Sequence, residues 1–265
     1  MDSIIKECKA LAENGYREVV LTGIHLSSYG LSCSYNSVAG EAGYTNYELL
    51  KAIREVSKID GINRIRLGSL EPRLITEEFL SELSKIDQIC PHFHLSLQSG
   101  CNETLKRMNR KYTTEEFFES VKLLRKYFRD PAITTDVIVG FPGETKEEFA
   151  QTEEFLRKVG FSKMHIFKYS RRRNTVADKL PMQVSDADKD IRSDILLELS
   201  EKMSIQYRKL FENREFEFLF EEYKDGEYVG HTREYLTFKM KSFENLCGRV
   251  VNITADAESL YFEQN

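Results

Sequence analysis

An incomplete parallel β/α barrel (class α/β) followed by a small antiparallel β-barrel is the fold class this sequence predicts. From residue 1 to about 185, short apolar runs alternate with amphipathic stretches, the pattern of parallel strands joined by crossover helices. The first strong element is a helix followed by a strand, so the repeat begins in mid-unit and the barrel reads as incomplete. After residue 213 the repeat gives way to short alternating strands with turn signals at Asp225-Gly226 and Gly230. The predicted organisation is therefore 1–185 partial barrel, 186–212 connecting helix and 213–265 small β domain.

The strands expected in the first part are 18–22, 63–68, 92–97, 133–140 and 163–169. Helices are expected at about 2–14, 46–59, 76–86, 114–129 and 146–159, with apolar residues three and four apart, as in Phe117, Val121, Leu124 and Phe128. Two of them open with capping boxes, Thr113 with Glu116 and Thr145 with Glu148. Residues 22–46, rich in Gly, Ser and Tyr, read as a long functional loop after the first strand. Ser185 caps a long helix carrying Ile191, Ile195, Leu199 and Met203 at four-residue steps. Beyond it, EFEFLFEEY, EYLTFKMK and RVVNITA are the strands of a β-barrel of a kind that often binds oligonucleotides.

Composition narrows the function classes. The 265 residues hold 38 Lys and Arg against 43 Asp and Glu, and 41% hydrophobic with 31% charged residues is ordinary for a folded soluble protein. Disordered, collagen-like and coiled-coil classes are excluded. After Asn213 the count is six basic against eleven acidic residues, so that part carries the whole charge of −5. No window approaches a membrane helix and the first residues lack an export signal, so a cytoplasmic protein without membrane association is expected. Cys8, Cys33, Cys90, Cys101 and Cys247 form no CxxC or CxxxCxxC cluster, so no metal-ligand set is read from them.

The chemistry concentrates where strands end. ITTDVIVGFPGET delivers Asp136 on a buried strand and stops in Gly140-Phe141-Pro142-Gly143-Glu144, where glycines let backbone approach a ligand closely. In HLSLQSGCNETLKRMNRKYT, Ser96 and Gln98 alternate at a strand end, and Lys106, Arg107, Arg110 and Lys111 follow on an expected short helix as candidates to hold a carboxylate or phosphate. Tyr169 and Ser170 precede Arg171, Arg172 and Arg173, a combination suited to nucleic acid but equally found on a plain basic surface. Thr22-Gly23 and Ser69-Leu70-Glu71 end the first two strands, so five strand ends present polar or Gly residues on one rim, where parallel barrels place their sites. His92 and His94 share a strand face, but no third metal ligand is spaced with them. Cys101 reads as a neutral thiol rather than a nucleophile.

Together LTGIHLSSYG, RIRLGSLEP, HLSLQSGCNETLKRMNRKYT, TDVIVGFPGET and the Tyr169–Arg173 segment resemble the radical S-adenosylmethionine methylthiotransferases, above all those that act on threonylcarbamoyladenosine beside the tRNA anticodon, at position 37. The resemblance covers nearly the whole chain. It implies a radical SAM barrel, a C-terminal TRAM-like RNA-associated domain, S-adenosylmethionine as cofactor and the tRNA anticodon stem-loop as partner. It also implies two [4Fe–4S] clusters in the parent enzyme, whose cysteine sets this chain lacks, so the chain reads as an inactive fragment.

By this resemblance Thr22, Gly23, Glu71, Ser96, Gln98, Arg110, Asp136, Gly140 and Phe141 bind the cofactor, with Thr22 and Gly23 near its amino group, Arg110 at its carboxylate, and Asp136, Gly140 and Phe141 near ribose and adenine. Tyr169, Arg171, Arg172 and Arg173 face RNA; no catalytic residue is assigned. Lys168 and Asn174 depart from the Pro and Gly the family often has there. The isopentenyladenosine tRNA and ribosomal-protein methylthiotransferases share the architecture. A non-catalytic RNA-binding module, and a different α/β-barrel enzyme, are the alternatives of other classes. An open barrel also predicts an apolar seam that invites dimerisation or aggregation.

Overall fold

The computed structural model describes residues 1–30 and 46–262. Helix α1 (Asp2–Glu13) leads to β1 (Glu18–Leu21), and a short 3-10 turn, Leu26–Ser28, follows in the expected loop. The rest of that loop, residues 31–45, lies outside the described residues. Then come α2 (Tyr47–Ser57), β2 (Arg64–Leu67), α3 (Glu77–Leu83), β3 (His92–His94), α4 (Asn102–Arg107), α5 (Thr114–Tyr127), β4 (Ala132–Val139), α6 (Lys146–Val159) and β5 (Lys163–Lys168). Both predicted capping boxes form, at Thr113 with Glu116 and Thr145 with Glu148.

Strands β1 and β2 pair in parallel, as do β3, β4 and β5. Single parallel bridges, Ile65 to Ile89 and Leu70 to Leu95, join the two groups into one curved wall. The third strand is shorter than its apolar run predicts: it is regular over His92–His94 only. Beyond Leu95 the chain instead touches its neighbours at isolated points. Outward-facing Ile65, Leu67, Phe93, Leu95, Ile133, Val137 and Val139 join one core with helix residues such as Ile53, Phe79, Phe117 and Leu156. The inner face is polar, carrying Glu18, Arg64, Arg66, His92, His94, Thr134, Asp136 and His165. Among the described strands β1 has β2 as its one neighbour, and Val20 is half exposed.

A four-residue helix α7 (Val176–Lys179) precedes the long α8 (Asp186–Lys209), capped by Ser185 as predicted. Helix α8 packs along β5 and ends among Tyr207, Phe211 and the C-terminal core. The C-terminal part is an antiparallel sheet in the order β8-β7-β6-β9, formed by β6 (Arg214–Lys224), β7 (Glu227–His231), β8 (Thr237–Met240) and β9 (Val250–Ala255). After β9 the chain returns to the free side of β8, where Thr237 and Tyr261 form an antiparallel bridge with N–H to O distances of 2.7 and 3.1 Å. Gly230 is not a turn: it pairs with Phe220 inside β7, and a Cβ there would come within 2.8 Å of the Phe220 ring. The glycine is needed for close approach.

This sheet closes the lower end of the barrel wall through buried charge. The Glu18 carboxylate, 5% exposed, accepts from Arg66 Nε at 2.7 Å and lies 3.2 Å from His231 Nε2. Arg64 donates to the carbonyls of His231 (3.0 Å) and Glu217 (2.8 Å), and Arg66 to that of Arg233 (3.0 Å). Tyr235, in left-handed conformation at φ 70, stacks on His92 and lies under the Arg66 guanidinium. Burial raises the Glu18 carboxyl, but the His231 hydrogen bond and the Arg66 charge overcome it and hold it at about 2.

Candidate functional site

The five predicted strand ends meet at one rim, each touching the next. Gly68, after β2, lies against Thr22, after β1: a Cβ on Gly68 would come within 2.8 Å of the Thr22 hydroxyl. Ser69 and Ser96 share a hydrogen bond of 2.7 Å, joining the ends of β2 and β3. Gln98 N donates to Asp136 O and Ile138 N to Gln98 O, both at 2.9 Å, which locks the β3 end onto β4. Phe141 and Tyr169, past β4 and β5, meet edge to face at 5.3 Å. Gln98 holds φ 70, a conformation uncommon for a residue with a Cβ and frequent at functional sites.

Other predicted residues sit around this line. Thr22 and Gly23 are exposed, and Glu71 lies 3.4 Å from His25 Nδ1. The Tyr112 hydroxyl donates toward the carbonyls of Ser96 (2.7 Å) and Leu97 (3.1 Å), and burial pushes it up to about 12. Sequence reasoning missed this tyrosine, which pins the strand end from behind.

The cationic segment behaves differently from the expected four-cation site. Helix α4 ends at Arg107, so Arg110 and Lys111 lie beyond it. Arg107 is committed to Glu148, with Nη1 to Oε1 at 3.0 Å and Nη2 on Oε2. Arg110 is exposed and has no ion pair among the described residues, yet its charge helps to lower Asp136. It is the rim-facing cation of the group.

Asp136 projects from β4 into the lumen beneath the rim. Its Oδ2 lies 3.4 Å from His94 Nε2 on β3, and His165 is its register partner on β5. Burial raises the Asp136 carboxyl, while the His94 hydrogen bond and charge, with His165 and Arg110, more than offset it and leave the group below its usual range. Burial lowers His165. His165 was not read from sequence, because its register against Asp136 is set only by the pairing of β4 with β5.

The Gly140–Glu144 turn is built from inside. Glu144 Oε2 accepts from Gly140 N at 2.9 Å and Phe141 N at 3.3 Å, while Oε1 accepts from Arg192 of α8 at 2.8 Å. Gly140 has φ 72, and a Cβ there would strike Lys189 at 2.3 Å. Burial raises the Glu144 carboxyl against the lowering effect of Arg192 and the two amides. Glu144, Lys189 and Arg192 were not read from sequence because helix and turn lie some 45 residues apart.

Of the three arginines, Arg171 is held by Asp178, at 2.9 Å to Oδ1 and 3.0 Å to its carbonyl. Arg172 and Arg173 are exposed and make no ion pair among the described residues. Cys101 is buried, 3.4 Å from Gln151 Oε1. A surface cavity of about 680 Å³, lined by residues including Arg17, Lys58, Asp60 and Gln88, lies at the opposite ends of the strands.

The residues present differ in what they fit. The rim offers a partly exposed carboxylate at Asp136, which could accept from the hydroxyls of an adenosyl group, whereas Gly140 and Phe141 are buried, the glycine against Lys189 and the ring against Tyr169. Among the described residues no group of three or more His, Cys, Asp or Glu side chains is placed to hold a metal ion or an iron–sulfur cluster. Cys8, Cys90 and Cys101 are buried on separate elements, and burial pushes Cys90 up to about 11. No helix of the described residues is long and apolar enough to cross a membrane.

Residues 1–156 match the model of the Radical SAM superfamily. The chain is 37% identical over 258 residues to the threonylcarbamoyladenosine tRNA methylthiotransferase MtaB of Bacillus subtilis (strain 168), covering 95% of this chain and 55% of that protein. It is 36% identical over 255 residues to the tRNA-2-methylthio-N(6)-dimethylallyladenosine synthase of Thermoanaerobacter sp. (strain X514), covering 95% and 52%. The chain spans about half the length of the curated relatives it matches. Among solved structures, coproporphyrinogen III oxidase (HemN) from Escherichia coli shares the fold at TM-score 0.56 and 14% identity, covering 91% of this chain and 58% of that one.

Proposed function

The chain belongs to the radical SAM superfamily, and on that premise we propose that it is the barrel and C-terminal portion of a cytoplasmic tRNA methylthiotransferase acting on threonylcarbamoyladenosine. The unbroken line of contacts from Thr22 to Tyr169 along the strand ends carries this reading. A bound cofactor would lie on that line, with Gly140 and Phe141 near its adenine, Asp136 accepting from ribose hydroxyls, and Thr22, Ser96 and Gln98 closing the wall. S-adenosylmethionine, when bound, supplies the methyl group and the radical chemistry. The protein's own part is to bind, orient and polarise. Lacking cysteines of cluster spacing, this chain alone is expected to be inactive.

The substrate reading rests on charge. Threonylcarbamoyl substituents carry a carboxylate, whereas dimethylallyl groups are apolar. With Arg110 kept for the cofactor's carboxylate, Arg172 and Arg173 are exposed without ion pairs among the described residues and can meet anionic groups of the RNA, the substituent's carboxylate included. The C-terminal sheet then serves as a TRAM-like RNA-associated domain. Its acidic surplus leaves the phosphate contacts to the arginine turn. The test is nucleoside analysis of anticodon loops after deletion of the gene: 2-methylthio-threonylcarbamoyladenosine should disappear. Its persistence, with loss of the dimethylallyl counterpart instead, would overturn the assignment.

A further inference from the structure

Four side chains on the inner wall form a polar row that ends on Asp136. His92 Nε2 lies 3.4 Å from Thr134 Oγ1, Thr134 Oγ1 lies 3.0 Å from His94 Nδ1, and His94 Nε2 lies 3.4 Å from Asp136 Oδ2. The strand register makes this row possible, because His94 faces Thr134 across β3 and β4, with Asp136 two residues on. At its lower end His92 stacks on Tyr235 of the C-terminal sheet, with ring centroids 5.3 Å apart.

The direction of the row follows from donor chemistry. A carboxylate can only accept, so His94 Nε2 carries the hydrogen it gives to Asp136. His92 is held neutral by burial and the nearby Arg66 charge. With its hydrogen on Nε2 it donates to Thr134, which has one hydroxyl hydrogen left to give to His94 Nδ1. The reverse tautomer would strand a buried N–H at His92 Nδ1, which has no hydrogen-bond partner; the orphaned atom is less costly as an acceptor.

We infer that His94 is a positioning residue, fixed in its Nε2–H tautomer by Thr134 and His92, which turns Asp136 so that one carboxylate oxygen is occupied and the other faces the lumen. The C-terminal sheet thereby sets the starting point of the row through Tyr235. This rests on the reading that Asp136 accepts from the cofactor's ribose. The groups facing Asp136 from neighbouring elements are His94, His165 and Arg110.

Nitrogen-15 NMR of the full chain reports imidazole tautomers, and carbon-13 NMR the Asp136 carboxyl. The expected result is Nε2–H at both His92 and His94 near neutral pH. Thr134→Val, which keeps shape and removes the hydroxyl, should abolish the His94 preference and raise the Asp136 titration midpoint. His94→Gln, whose amide still donates, should restore it relative to His94→Ala. With S-adenosylhomocysteine as probe, H94A should weaken binding by about tenfold, the loss of one charge-assisted hydrogen bond, and H94Q by less than about threefold. An Nδ1–H tautomer at His94, or a midpoint and tautomer unmoved by T134V, overturns the inference. Probe binding equal in D136N and wild type instead overturns the ribose reading alone, and the NMR result still decides the role of His94.

Discussion

The two ends of one lumen use the same residue types to opposite ends. At the base, Glu18, Arg64, Arg66 and His231 are almost fully buried and paired, and the C-terminal sheet seals them in. At the rim, Asp136 is about a third exposed, and Arg110 makes no ion pair among the described residues. Strand β1 contributes to both, with Glu18 at the base and Thr22 some 13 Å further along an extended strand. Inward polarity on a parallel strand is therefore not a signature of a site. What separates the ends is closure: charge that is covered holds two units together, and charge left open at the strand ends can meet a ligand.

The sharpest way to break this comparison is to remove one carboxylate from each end. Glu18→Ala leaves two buried guanidiniums without their anion and should cost about 3–5 kcal/mol in urea unfolding. Asp136→Asn should cost less than about 1 kcal/mol, because water reaches the site. Equal losses would show that both ends are structural. Acid sharpens the test. Glu18 titrates at about 2 when folded against an ordinary 4.5, so its stabilisation is complete above that ordinary value and is lost as pH falls toward 2. E18Q should flatten that part of the acid unfolding curve, roughly 3 kcal/mol by linkage.

An intermediate effect is expected where α8 reaches the rim. Arg192→Ala would leave Glu144 buried with the Gly140 and Phe141 amides as its remaining partners, for a loss of about 2–3 kcal/mol. Its pH dependence has the opposite sign to that of Glu18. A carboxyl whose folded pKa is raised binds its proton more tightly when folded, so stability falls as pH rises through 4.5 and beyond. The R192A deficit should therefore be larger at pH 7 than at pH 4, and a pH-independent deficit would mean that Arg192 acts by packing alone.

How much of this was legible depends on sequence distance. The run TTDVIVG and the capping boxes at Thr113 and Thr145 specify β4, α5 and α6 locally, because each signal lies within a few residues. Polar strand ends marked most of the rim for the same reason. The base was invisible: Glu18 and His231 are 213 residues apart, and neither shows its partner in sequence. The alternation of His92 and His94 was visible and was set aside for want of a third metal ligand, because nothing in that segment shows that Thr134 lies opposite. Arg107 read only as one cation of a basic segment because nothing in the segment announces Glu148 on α6. Gly230 read as a turn because a glycine needed beside the Phe220 ring looks the same in sequence as one needed for chain reversal.

The smallest effect on stability should come from the arginine turn, where the open end of the comparison meets its proposed partner. Arg172→Ala with Arg173→Ala removes two exposed side chains and should change unfolding free energy by less than about 0.5 kcal/mol. Arg171→Ala breaks the link to Asp178 and should loosen α7 more than it weakens RNA binding. For an anticodon stem-loop, the double variant should lower affinity and reduce the salt slope by roughly 1 for each phosphate no longer neutralised, and R171A should leave the slope close to wild type. A slope that falls as much in R171A as in the double variant would place the RNA-binding charge on the Asp178-bound arginine. The rim would then resemble the base, with its cations already committed inside the fold.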